Sequence, residues 1–124
     1  MNLAPLKNAV MALRREAEAF DAALGTALAS GAPLDSASVD RAIIHAERAL
    51  APERGLPGRP WYRHQVYAPG FYTGYGVKTL PAVREAIEAR DWAHVDRHIE
   101  ELAATLAEMS ARIAAARKLV ESGS

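Results

Sequence analysis

The final third of the chain carries a regular apolar repeat, and this repeat constrains the fold more than any other feature of the sequence. Apolar side chains recur at alternating spacings of three and four residues, at Trp92, Val95, Ile99, Leu102, Leu106, Met109, Ile113, Ala116 and Val120. That spacing is typical of one amphipathic α-helix with a continuous buried stripe. It predicts a helix of about 30 residues, about 45 Å long, which begins with Asp91 as its N-cap.

A second long helix is predicted near the N-terminus. It should run from about Pro5 to about Ser30, because proline suits a first helical turn and Gly31, followed by Pro33, ends a helix. Its apolar stripe has spacings of four and three residues, at Leu6, Val10, Leu13, Ala17, Phe20 and Leu24. We expect this stripe to face the core.

Two shorter helices are predicted between the long ones. The first begins near Asp35 or Ser36, both favourable N-cap residues, and is stopped by Pro52. The second is capped by Thr79, carries a proline in its first turn and ends near Arg90.

The four helices together predict an all-α fold. It is a small antiparallel four-helix bundle that forms a single domain over residues 1–124, with a long irregular loop over residues 52–80. A chain of 124 residues is long enough for a real core without disulfides, and this one has no cysteine. The missing cysteines exclude a disulfide framework, a cysteine zinc site and a thiol nucleophile.

The charge balance argues against two classes of partner. Fifteen basic and fifteen acidic residues cancel, whereas nucleic-acid binders and polybasic membrane-surface proteins rely on net positive fields. No apolar run approaches the roughly 20 residues that span a bilayer. We therefore expect neither a nucleic acid nor a membrane as partner.

The segment from Pro57 to Pro81 is the most distinctive part of the chain. It holds six of the eight aromatic residues, and proline and glycine interrupt it too often for one regular element. A long irregular segment within a helical protein is costly to order, which favours a functional role. Its aromatic and basic residues could stack on bases, could pack the segment onto the bundle, or could carry the tip, residues 70–78, to another domain or a ligand.

Two other patterns are candidates for functional sites. His94 and His98 lie four residues apart on one helix face, with Asp91 and Glu101 one turn away, so they could contribute to a zinc site. The simpler interpretation is that each histidine pairs with a neighbouring carboxylate at the helix surface. No serine stands in a nucleophile elbow, and the glycines near residue 74 lack the lysine and the helix start of a phosphate-binding loop.

Several short motifs in the middle of the chain match one family. They are Glu47–Leu50, Gly55–Pro57, Arg59–His64, Tyr67–Pro69, Tyr75 and Pro81. The chain resembles, over essentially its whole length, the transferrin-receptor-like dimerisation domain, the C-terminal helical domain of glutamate carboxypeptidase II and related M28-type zinc peptidases. The resemblance implies an up-down-up-down four-helix bundle, a homodimer with a second copy, and contact with the peptidase domain of the same parent chain.

The resemblance also implies a division of the loop. Six residues are expected to fix it to the bundle: Arg59, Trp61, Tyr62, Arg63, His64 and Tyr67. Tyr75 matches a tyrosine that binds the terminal carboxylate of the substrate in glutamate-specific members, and Tyr72 and Lys78 are further candidates. The glutamate-specific enzymes have a lysine where this chain has Gly74.

The resemblance assigns the hydrolytic machinery to another part of the parent protein. The zinc ligands and the catalytic glutamate belong to the peptidase domain, so the chain alone is expected to have no catalytic residue, metal or cofactor and not to hydrolyse peptides. The resemblance implies a periplasmic or secreted parent enzyme. The alternative is a self-standing helical protein-interaction module that has lost the peptidase domain, and it predicts a natural gene that begins at Met1.

Overall fold

The computed structural model describes residues 1–69 and 77–123 of the chain. Its elements are α1 (Ala4–Ser30), α2 (Ser36–Arg48), β1 (Tyr67–Pro69), β2 (Val77–Thr79), α3 (Pro81–Glu88) and α4 (Trp92–Ser122). The all-α four-helix bundle is confirmed, and β1 with β2 forms one short antiparallel ribbon in the long connection between α2 and α3. No helix of the described residues combines the length and the apolarity needed to cross a membrane.

Helix α4 is the centre of the bundle, because α1, α2 and α3 all pack on it. Most of its predicted stripe is buried, and Val95, Ile99 and Val120 are almost fully enclosed. The main exception is Trp92 in the first turn, whose side chain is 58% exposed. The core has two clusters: one where the start of α4 meets α3, and one where its end meets α1 and α2.

The helix directions differ from the alternating order expected of the bundle. The start of α1 lies at the start of α4, where the Asn2 backbone N–H donates to Asp96 Oδ1 at 2.7 Å. Further along, Glu16 pairs with Arg117 at 3.4 Å, so α1 and α4 run parallel. Helix α2 runs antiparallel to α4, because Val39 in its first turn packs with Val120 near the end of α4, and the long connection after it leads to α3, which packs beside the start of α4. A connection of this length permits the parallel order that short loops would forbid.

The stripe of α1 is only partly covered, which corrects the expectation that all of it faces the core. Ala27 is the one fully buried residue of α1 among those described, whereas Val10 and Ala17 are exposed. Small side chains of α1, such as Ala23 and Ala27, pack near α4, so part of the apolar stripe turns away from α4.

The helix ends follow local chemistry in most cases. Asp35 caps α2 and accepts hydrogen bonds from the Ser38 hydroxyl and the Ser38 N–H; these bonds, the hydroxyl first, lower the pKa of Asp35. Gly31 ends α1 at φ 67°. Thr79 does not cap α3: it ends β2, and Leu80 occupies the cap position at φ 48° without a side-chain cap bond.

Candidate functional site

A buried ion pair ties the long loop to α3. Arg59 Nη2 donates to both carboxylate oxygens of Glu85, at 2.9 and 3.0 Å. The two side chains are only 7% and 18% exposed, so the pair is largely shielded from water. A buried charge that lost its partner would be strongly unfavourable, and this geometry therefore holds residue 59 in place.

The turn around Arg59 is closed by backbone contacts. Leu56 and Arg59 form an isolated antiparallel bridge, and the Leu56 N–H donates to Tyr62 O at 2.8 Å. Gly55 has φ 65°, and its backbone lies against Pro60. Because a side chain at this position would overlap the backbone of Pro60, the turn requires glycine.

Gln65 fastens the far end of this turn. Its side chain is buried and donates through Nε2 to Gly55 O at 3.2 Å and to Arg63 O at 2.9 Å. Its backbone N–H donates to Leu50 O at 2.8 Å, just beyond the end of α2. Gln65 thus connects Gly55, Arg63 and Leu50. No pattern in the sequence indicates this role.

His64 organises the entry to the ribbon. Its Nδ1 accepts from the N–H of Val66 at 3.3 Å and of Tyr67 at 3.1 Å. This arrangement requires an unprotonated Nδ1. The first residue of β1 is therefore positioned by the histidine side chain, and Tyr67 then pairs with Thr79 across the ribbon.

Lys78, one of the predicted substrate contacts, lies on β2. Its side chain is 15% exposed, and its ammonium group donates to Glu88 of α3. Glu88 also accepts from Arg84 Nε at 3.1 Å. The Lys78 hydrogen bond, assisted by Arg84, lowers the pKa of Glu88. The ammonium of Lys78 is thus already paired with a carboxylate, and contact with a substrate carboxylate would have to compete with Glu88.

The aromatic residues of the loop do not all pack inward. Trp61 is 77% exposed and Tyr67 is 55% exposed, which corrects the expectation that these rings fix the loop to the bundle. Tyr62 is half-buried and contributes backbone bonds to the turn, whereas Arg63 is exposed and accepts through its carbonyl oxygen. Polar contacts and backbone pairing hold the described part of the loop, and Trp61 and Tyr67 remain on its surface.

Tyr72 and Tyr75 lie outside the described residues, as does Gly74. The described chain fixes the two ends of their segment, because Pro69 and Val77 are paired across the ribbon. The assignment of Tyr75 and Tyr72 to a substrate site remains a prediction.

The histidine pair of α4 is engaged with carboxylates. His94 Nδ1 lies 2.8 Å from both oxygens of Asp91, and His98 Nδ1 lies 3.3 Å from Glu101 Oε2. His98 is buried, so this pair is not confined to the helix surface as expected. Within residues 1–69 and 77–123, no group of three histidine or acidic side chains is placed to hold a metal ion.

A second candidate site, an apolar groove, lies between α1 and α2, away from the loop contacts. It encloses about 470 Å³. Its apolar walls are Phe20, Leu24, Leu34, Val39, Ile43 and Ile44. Two of these residues, Phe20 and Leu24, belong to the apolar stripe of α1 that was expected to face the core.

Comparison with known proteins gives a consistent result. The sequence matches the family model of the transferrin receptor-like dimerisation domain over residues 1–114. A probable glutamate carboxypeptidase of Arabidopsis thaliana is 48% identical over 46 residues, which make up 37% of this chain and 7% of that protein. A probable glutamate carboxypeptidase of Arthroderma benhamiae is 42% identical over 53 residues, 43% of this chain and again 7% of the relative. The matched segments thus span only a small part of these relatives.

Proposed function

Because the chain belongs to the transferrin receptor-like dimerisation domain family, we propose that it is a homodimerisation module that also contributes a substrate-pocket loop to an M28-type metallocarboxypeptidase. The similar proteins carry the name of probable glutamate carboxypeptidases, and most of their length lies outside the matched segments. In this proposal the zinc and the hydrolytic groups belong to the peptidase domain of a longer chain. This chain supplies association and one wall of the pocket.

One observation carries the pocket part of the proposal. The loop is held firmly by the Arg59–Glu85 pair and by Gln65, yet it presents Trp61 and Tyr67 to solvent. Exposed aromatic rings on a well-anchored loop are typical of surfaces that contact another protein domain. A peptidase domain seated on these rings would lie beside the ribbon whose strands lead to Tyr75.

The association part predicts a concentration-dependent dimer. Sedimentation equilibrium of the chain should give a mass that rises from 13.4 kDa towards twice that value with increasing concentration. A mass that stays at one chain up to about 1 mM, which corresponds to less than about 4 kcal/mol of association free energy, would contradict self-association.

The pocket part predicts an effect of Tyr75→Phe in the longer enzyme. Loss of a hydrogen bond to a charged carboxylate should lower kcat/KM by about tenfold, equivalent to about 1–2 kcal/mol. Tyr62→Phe also removes a tyrosine hydroxyl oxygen from the loop. It serves as the matched control, because Tyr62 acts in the turn through its backbone. Equal kcat/KM values for the two variants would remove Tyr75 from the pocket.

A further inference from the structure

A small cavity of about 250 Å³ lies where the long loop meets α3 and the start of α4. One wall of it is formed by Ala82, Ala86 and Ala89, and their spacing of four and three residues places them on one face of α3 and its C-terminal end. Because these side chains are small, they leave space between the packed elements. The volume lies below the range of about 300–1,000 Å³ for drug-sized ligands, so the cavity suits a ligand of only a few heavy atoms.

Three polar side chains line the same cavity, namely Glu85 of α3, Asp91 at the start of α4 and His98 within α4. His98 is the most enclosed of them, with a side chain that is 7% exposed. Its Nδ1 lies 3.3 Å from Glu101 Oε2, and Glu101 borders a neighbouring cavity rather than this one. The two nitrogens of an imidazole ring point in divergent directions, so Nε2 is directed away from Glu101 and towards the first cavity.

The Nε2 atom of His98 has no hydrogen-bond partner within residues 1–69 and 77–123. Buried polar atoms in proteins nearly always have a partner, so one that lacks it points to a ligand. The carboxylate of Glu101 accepts from the N–H at Nδ1, which leaves Nε2 of the neutral ring as an acceptor. A ligand group that contacts Nε2 must therefore be a donor.

The two carboxylates make the same demand on a ligand. Ionised Glu85 and Asp91 can only accept, and each oxygen can accept a further bond besides its contact with Arg59 or His94. Arg59 offsets the charge of Glu85, whereas His94, the partner of Asp91, carries no charge in its neutral form. The C-terminal end of α3, where helix carbonyls carry partial negative charge, also borders the cavity. The charges therefore favour a cationic donor.

We propose that this cavity binds a primary ammonium group on a short aliphatic chain. The three N–H donors of an ammonium match the three acceptors, which are His98 Nε2 and the carboxylates of Asp91 and Glu85, and the alanine wall covers the chain. The described side chains include no group of three placed to hold a metal ion. An ammonium suits acceptors that are spaced more widely, because its hydrogen bonds, at about 2.9 Å, are longer than metal–ligand bonds of about 2.0–2.6 Å.

The ammonium group has two possible sources, a free small amine or the lysine side chain of another polypeptide. Both would use the same three acceptors. The inference is independent of the function proposed above, since it needs neither a second copy of the chain nor a peptidase domain.

A titration of the chain with n-butylammonium chloride tests the site, with the ¹⁵N resonances of the histidine rings as the readout. At about pH 8, where a primary amine is still protonated, the Nε2 resonance of His98 should change saturably with a Kd of about 1–10 mM. At equal ionic strength n-butanol should bind at least about tenfold more weakly, because it lacks the charge that strengthens the hydrogen bonds. Equal binding of n-butanol, or no saturable change with n-butylammonium up to about 100 mM, overturns the proposal.

Two carboxylate variants test the charge of the site. Asp91→Asn should raise the Kd for n-butylammonium at least about tenfold; the fold should be kept, because the Asp91 side chain makes no cap bond to α4. Asp40→Asn makes the same change at an exposed residue of α2 outside the cavity and should leave the Kd unchanged. Equal Kd values for the two variants overturn the proposal.

A third variant tests the location. Ala89→Leu enlarges an exposed residue of the cavity wall, so it should abolish binding of n-butylammonium while urea denaturation shows a folded chain. Binding that persists in this variant overturns the assignment to this cavity.

N-acetyl-lysine amide distinguishes the two sources of the ammonium group. If its Kd is within about threefold of the value for n-butylammonium, the cavity admits a side chain attached to a backbone, which supports a lysine of another polypeptide as the ligand. If n-butylammonium alone binds, the ligand is a free amine.

Discussion

Replacement of Arg59 by alanine is expected to lower the free energy of unfolding by about 3–5 kcal/mol, because it leaves a shielded carboxylate without its principal partner. The guanidinium of Arg59 donates two bonds to Glu85, and both side chains are largely removed from water. The loss should appear in urea denaturation followed by circular dichroism. The same measurement should show a lower midpoint with an unchanged or slightly altered slope.

A double replacement distinguishes the contribution of the two charges to stability from that of the volume that the side chains fill. Arg59→Met with Glu85→Leu should recover much of the stability lost in Arg59→Ala, because apolar groups of similar volume can replace a buried ion pair at little cost. Arg84→Ala removes an exposed arginine from the same helix as Glu85 and should change stability by less than about 1 kcal/mol. Comparable losses for Arg59→Ala and Arg84→Ala would show that the buried pair does not hold the loop.

Gly55→Ala is expected to destabilise the chain by about 2–5 kcal/mol through strain and overlap. The residue has φ 65°, and a Cβ atom placed there would lie 2.6 Å from Pro60 Cα and closer still to the carbonyl of Pro60. The obstacle is backbone rather than a movable side chain, so the turn from Gly55 to Tyr62 would have to open. Urea denaturation measures the loss of stability.

Gly25→Ala is the matched control for this substitution. Gly25 lies inside α1 and has no atom within 4 Å of a built Cβ. The same chemical change should therefore stabilise the chain by about 0.5–1 kcal/mol, because alanine is the better helix former. If both variants lost stability equally, the close approach of Gly55 to Pro60 could not be the cause.

The helices could be predicted because their signals are local. The spacing of apolar residues, together with Pro5, Gly31, Asp35 and Asp91, placed the starts of α1, α2 and α4 and the end of α1 within a residue or two of those observed, whereas α2 ends at Arg48, several residues before Pro52. The prediction that Thr79 caps α3 was wrong, because a residue suited to an N-cap can equally end a strand. The ribbon itself is only three residues per strand, too short for alternation to be distinctive.

Less of the candidate site could be predicted from the sequence. The motif from Arg59 to His64 identified the loop, yet the partner of Arg59 lies 26 residues away in Glu85. Gln65 carries no sequence signal for its two backbone acceptors. Trp61 was expected to pack inward because large rings usually do, and only the path of the loop over α3 and α4 leaves it outside.

The sequence by itself determined that the chain is helical, where each helix begins, and which loop is unusual. These properties follow from dihedral preferences and periodicity, which act over a few neighbouring residues. Only the tertiary structure decided that α1 runs parallel to α4, and that part of its apolar stripe remains outside. Whether an apolar residue is buried depends on which elements the connections bring against it. On α1 the packing of α4 leaves Val10 and Ala17 of the predicted apolar stripe exposed.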